Sequence, residues 1–167
     1  SITEEQYFEV IYRKTSCLFE AGCHVSAILA NCDHENDVSM MIEYGKNLGT
    51  AFQIIDDAMD YMALEEEIGK NLGDDLSEGK PTLPIIHAIN MSAGDEKKML
   101  QSAIERGDIN KLEAIQNIIL KTGAIEYTTK KAVDFSNKAI ASLSNLKNSI
   151  YKEALISIAQ FSADRNS

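Results

Sequence analysis

The sequence has no tryptophan, two prolines and three cysteines among its 167 residues. The cysteines, Cys17, Cys23 and Cys32, are odd in number and irregularly spaced. That argues against a disulfide framework and fits a reducing compartment, so a cytoplasmic location is expected. Cys23-His24 and Cys32-x-His34 lack the paired spacing of a zinc site, and they are read as small packing thiols. No run reaches the ~18 apolar residues of a membrane span, and no signal-peptide pattern is visible. Basic residues are outnumbered: 16 Lys and Arg stand against 26 Asp and Glu, a formal charge of -10. With both signs interspersed, this argues against a nucleic-acid partner, and the scattered Glu residues are read as solubilising.

No segment keeps the period-two alternation of a strand, and no internal repeat or low-complexity tract is present. Helical spacing recurs instead, and an apolar content of 44% suffices for the core of one domain. Thr3 and Gln6 form a capping-box pattern ahead of one long helix predicted over 3–31, whose stripe includes Phe8, Ile11, Leu18, Phe19, Leu29 and Ala30. Lys14 lies at the edge of that stripe and Thr15 within it. They read either as a snorkelling base with a tolerated core hydroxyl, or as donors aimed into a cleft; position alone favours the first. A polar turn over 32–36 leads to a central helix over 37–64. Residues 65–81 read as an irregular loop. A short buried helix over 82–91 comes next, with Pro84 in its first turn and His87 as a core residue. Helices end near Gly107 and near Lys121. Ala132, Phe135, Ala139, Leu143 and Leu146 mark another, and Ala154, Leu155, Ile158 and Phe161 a last one. The predicted fold is all-α, helix packed on helix.

The central helix carries three carboxylates in five residues, Asp56, Asp57 and Asp60, with no Lys or Arg between Lys46 and Lys70. They sit amid Ala51, Phe52, Ile54, Ile55, Ala58 and Met59. A half-buried acidic cluster without a basic neighbour in sequence needs a cation from elsewhere. Oxygen ligands suit a hard ion such as magnesium, which also keeps waters and binds substrate phosphates. At about 100° per residue from Gly45, Asp56 falls near ~20°, Gly49 near ~40°, Asp60 near ~60° and Gln53 near ~80°. Asp57 lies further round, near ~120°. Two glycines on the carboxylate face suggest that something bulky approaches the backbone there. The blander reading is a solvated acidic face with glycines for tight helix packing. Lys70 and Lys80 are the first bases after the acids, on a loop suited to bringing ammonium groups to a metal-bound anion.

Three groups of residues together resemble one family. They are Lys14-Thr15; Gly45-x-x-x-Gly49-x-x-Phe52-Gln53-x-x-Asp56-Asp57-x-x-Asp60; and Gly69-Lys70 with Gly73-Asp74-Asp75-x-x-Glu78-Gly79-Lys80-Pro81-Thr82-Leu83-Pro84. The chain is similar along its whole length to the C-terminal half of trans-isoprenyl diphosphate synthases, most of all the long-chain bacterial polyprenyl type. The resemblance implies a partial isoprenoid-synthase fold, a helical bundle around a central cavity. It implies magnesium held by Asp56, Asp57 and Asp60, with Asp56 the principal ligand and Asp60 acting through bound water. Lys14, Thr15, Gln53 and Lys70 match positions that contact the allylic diphosphate, and Lys80 a basic position in the closing loop. Asp56, Lys14 and Lys70 are the implied catalytic groups. The implied reaction extends a polyprenyl chain by condensing isopentenyl diphosphate with an allylic diphosphate, and the implied assembly of the whole enzyme is a homodimer.

The sequence departs from that family in lacking a first Asp-rich motif and an Arg-rich site for isopentenyl diphosphate. Residues 1–167 are therefore expected to be the C-terminal portion of one prenyl synthase domain, inactive without an N-terminal half. Two other readings stand beside this one: a non-catalytic prenyl synthase-like interaction subunit, and a structural helical domain with incidental acids. Degenerate motifs would favour the interaction subunit, but Asp56, Asp57, Gln53 and Lys70 are intact.

Overall fold

The chain enters its first helix through a reciprocal cap. Thr3 N donates to Gln6 Oε1 at 2.9 Å, and Gln6 N donates to Thr3 Oγ1 at 3.2 Å, the capping box that the sequence predicts. A computed structural model describes residues 3–30, 35–62 and 73–164. Cys32 and His34, Lys70, and the first part of the 65–81 loop lie outside the described residues.

The described residues form helices joined by turns and short loops, without a strand. The predicted first helix is not uniform. It is α1 (Glu4–Ile11), a π-helical segment (Tyr12–Ser16), then α2 (Cys17–Leu29). A π turn takes up an extra residue and rotates the downstream part of the helix by about 100°. A stripe drawn at one constant period therefore drifts off the buried face: Ile11 is buried, whereas Leu18 is 74% and Leu29 76% exposed. The central helix, α3, spans Glu35–Met62. Beyond it lie α4 (Asp74–Ser77), α5 (Leu83–Met91), α6 (Gly94–Arg106) and α7 (Leu112–Lys121). The last two are α8 (Ala124–Ser142) and α9 (Ile150–Ala163). The predicted helix that ends near Lys121 is preceded by a 3₁₀ turn, Ile109–Lys111, where the Asp108 side chain accepts from Asn110 N.

The chain divides into two compact units, Ser1–Tyr7 with Asp56–Thr129, and Phe8–Ile55 with Lys130–Ser167. In the first unit α5 is apolar on nearly every side, and Ile85 and Ala88 join Leu76, Leu100, Ile115 and Ile119 in one core. Pro84 sits in the first turn of α5, where its missing N–H has no helical partner to lose. His87 is half-buried and stacks on Tyr127 with ring centroids 4.1 Å apart, the packing role predicted for it. Gly107 ends α6 at a φ of 60°, with its N–H on Ile104 O and Asp108 N on Ala103 O. A Cβ there would clash with the Ser77 backbone oxygen, so a side chain at this position would force the backbone to shift.

In the second unit Tyr44, Leu48, Ala139, Leu143 and Ala159 form the core. Gly45 and Gly49 of α3 allow close approach of the preceding helix. A Cβ on Gly45 would lie 2.6 Å from Phe19 O, and one on Gly49 2.8 Å from Ser16 Cα. The bulky neighbour suggested by these glycines is thus the protein's own backbone. The last helix, predicted from Ala154, Leu155, Ile158 and Phe161, is present as α9. Ala154, Ile158 and Phe161 are exposed and Leu155 half-buried, while α9 buries Ala159, Ser162 and Ala163. Small residues are used there because the contact is close: Ser136 Oγ donates to Ala159 O at 2.6 Å.

Candidate functional site

The acidic turns of α3 belong to the first unit. Asp56 and Asp60 are half-buried, and Asp57 is buried at 4% exposure. The wheel position that sets Asp57 apart from the other two turns it toward α1, where Tyr7 Oη donates to Asp57 Oδ2 at 2.7 Å. Burial, then the Asp57 charge and this hydrogen bond, hold the Tyr7 phenol well above its ordinary pKa, so it remains a donor at neutral pH.

Asp60 faces the short helix α4. The backbone N–H of Asp75 donates to Asp60 Oδ2 at 3.3 Å. The Asp60 carboxyl is nevertheless pushed up to about 6, first by burial and then by the Asp75 charge. The backbone hydrogen bonds from Asp75 and Asp74 oppose that push without cancelling it. Lys80 approaches the same acids: its Nζ lies 3.5 Å from Asp75 Oδ1 and is also paired with Glu78. The hydrogen bond to Glu78 is the main reason its ammonium group is held more firmly protonated than usual. Next to Asp60, the Tyr61 hydroxyl and Thr82 Oγ1 are buried without a hydrogen bond of proper geometry. Thr82 still lies near enough to lower the Tyr61 phenol against the larger upward push of burial.

The second unit holds the other predicted group. Lys14 and Thr15 fall inside the π-helical segment, a local irregularity that often marks functional positions. Thr15 Oγ1 donates to Gln53 Oε1 at 2.6 Å, which joins two of the predicted diphosphate contacts. Beside them Ser16 Oγ and Thr50 Oγ1 are 2.8 Å apart. Gln53 is buried, Thr15 half-buried and Lys14 exposed.

Among the described residues no group of three His, Cys, Asp or Glu side chains is arranged to hold a metal ion. Magnesium does not require one, because it binds one or two carboxylates together with waters and substrate phosphates. The donor set fits such an ion: oxygen ligands only, with Asp60 half-buried beside a second carboxylate that raises its pKa. Tyr7 and Asp75 were not legible as members of this cluster. Tyr7 lies 50 residues from its partner, and Asp75 acts through its backbone N–H and its charge.

A family model described as polyprenyl synthetase matches residues 1–120. The octaprenyl diphosphate synthase of Escherichia coli (strain K12) is 45% identical over 166 residues, 99% of this chain and 51% of that protein. Among solved structures, a polyprenyl synthase from Caulobacter crescentus CB15, complexed with calcium and isoprenyl diphosphate, aligns with a TM-score of 0.92 and 34% identity. The alignment covers 100% of this chain and 51% of that one. A decaprenyl diphosphate synthase from Rhodobacter capsulatus aligns with a TM-score of 0.90 and 35% identity, over 99% of this chain and 51% of that one. The fold is that of all-α isoprenoid synthases. The chain spans about half the length of the curated relatives it matches.

Proposed function

The chain belongs to the polyprenyl synthetase family, and on that premise we propose that it supplies the second Asp-rich motif of a polyprenyl diphosphate synthase. The proposed reaction condenses isopentenyl diphosphate with an allylic diphosphate. Asp56, Asp57 and Asp60 are the proposed magnesium ligands, and Lys14, Thr15, Gln53, Lys70 and Lys80 the proposed contacts of the allylic diphosphate. The observation that carries the reading is the pair Asp56 and Asp60, one helical turn apart and half-buried, with Asp60 raised to about 6 beside further acids. Carboxylates so placed are suited to a divalent cation.

Breaking the allylic C–O bond leaves a carbocation and builds charge on the departing pyrophosphate oxygens. Lys14 and Lys70 would stabilise that charge with their ammonium groups, and Thr15 and Gln53 would orient the group that carries it. Magnesium, when bound, supplies further positive charge to the leaving group. Lys80 would exchange its pairing with Asp75 and Glu78 for the diphosphate, which suits a basic residue on a closing loop. The double bond of isopentenyl diphosphate then attacks the cation, and the proton lost passes to the departed pyrophosphate. The proposal includes a homodimeric whole enzyme in the cytoplasm, where the free thiols of Cys17 and Cys23 would stay reduced.

The test is a thermal shift. Magnesium with inorganic pyrophosphate should raise the melting temperature of the chain, and Asp56→Ala should abolish the rise. A rise that Asp56→Ala leaves intact would refute the site.

A further inference from the structure

Asp57 departs from its two neighbours. It is buried rather than half-buried and lies about 100° round the helix from Asp56. Its Oδ2 accepts the Tyr7 hydroxyl at 2.7 Å, and Tyr7 is itself 4% exposed. A carboxylate at that depth without a donor would take up a proton or swing toward water. The phenol supplies a donor at that depth and favours one rotamer of the carboxylate.

We propose that Tyr7 is a positioning residue for the metal site, orienting Asp57 through this hydrogen bond. The inference rests on the proposed metal site and adds a residue to it. The logic is that of partners behind metal ligands, whose loss typically weakens metal binding by about 10–100-fold. A merely structural role would be satisfaction of a buried hydroxyl, which would affect stability alone.

The experiment titrates magnesium against the 167-residue chain at fixed inorganic pyrophosphate, read by calorimetry and by thermal shift. Tyr7→Phe should raise the magnesium midpoint about tenfold. Tyr127→Phe, which removes a hydroxyl donated to Glu4 Oε2 at 2.7 Å in the same unit, should leave it unchanged. In an Asp57→Asn background, Tyr7→Phe should add nothing further. Asp57→Asn keeps an acceptor for the phenol and tests the link from the other end, should Tyr7→Phe not fold; it too should raise the midpoint. A midpoint unmoved by Tyr7→Phe would overturn the inference while leaving the metal site standing; one unmoved by Asp57→Asn would overturn the inference and also remove Asp57 from the proposed ligands. Absence of any magnesium response in the unmodified chain would overturn both.

Discussion

Asp60 gains a proton more readily than an ordinary carboxyl because it is half-buried and faces Asp75. A group whose folded pKa lies above its unfolded value stabilises the fold fully below the unfolded value. That stability is lost as pH rises through the folded value. For Asp60 the window runs from its ordinary 3.8 up to about 6. A shift of that size corresponds to at most about 3 kcal/mol, and to roughly 1 kcal/mol once solvent screening of a half-exposed group is allowed for. Asp60→Asn should therefore stabilise the metal-free chain by roughly 1 kcal/mol at pH 7.5 and hardly at all at pH 4. Urea unfolding in the presence of a chelator measures both; equal effects at the two pH values would contradict the assignment. Asp56→Ala, introduced into an active synthase that carries this motif, should lower turnover by orders of magnitude. At this scale the acids were legible because their spacing and their lack of a basic neighbour are local facts. The environment of each was not, because burial and the approach of Tyr7 and Asp75 depend on other elements.

Two helical glycines separate propensity from packing. Gly22 lies in α2 with nothing within 4 Å of where a Cβ would stand, so Gly22→Ala should stabilise the chain by up to about 1 kcal/mol. Gly45 has the same propensity gain available, but its added Cβ would meet the Phe19 backbone oxygen at 2.6 Å. Overpacking of that kind costs about 1–3 kcal/mol, so Gly45→Ala should be destabilising on balance. Chemical denaturation of both variants tests the pair; a stabilised Gly45→Ala would show that the two helices are not in close contact. Element starts such as the Thr3–Gln6 cap were legible, because they need only neighbours in sequence. The π-helical segment carrying Lys14 and Thr15 was not. Nothing in Tyr12–Ser16 by itself demands an extra residue in the turn. The buried face of α9 was not legible either, since close approach selected small residues over large apolar ones.

At the scale of the whole molecule, 167 residues align with about half of an octaprenyl diphosphate synthase. On the proposed reading they carry the second acidic motif of such an enzyme. Incubated with labelled isopentenyl diphosphate, an allylic primer and magnesium, this polypeptide should show no chain elongation. Clear elongation would mean that one Asp-rich motif suffices. The sequence by itself determined the all-helical class, the family, and which acids and bases are candidates for the chemistry. Those are set by periodicity and by residue types at fixed intervals, which a linear string preserves. Only the tertiary structure decided that Asp57 is held by Tyr7, that Asp60 is raised by burial and then by the Asp75 charge, that Lys80 is paired to nearby acids, and that Thr15 meets Gln53. Each of those depends on residues brought together by packing, and a side chain's charge and direction are set by its neighbours in space.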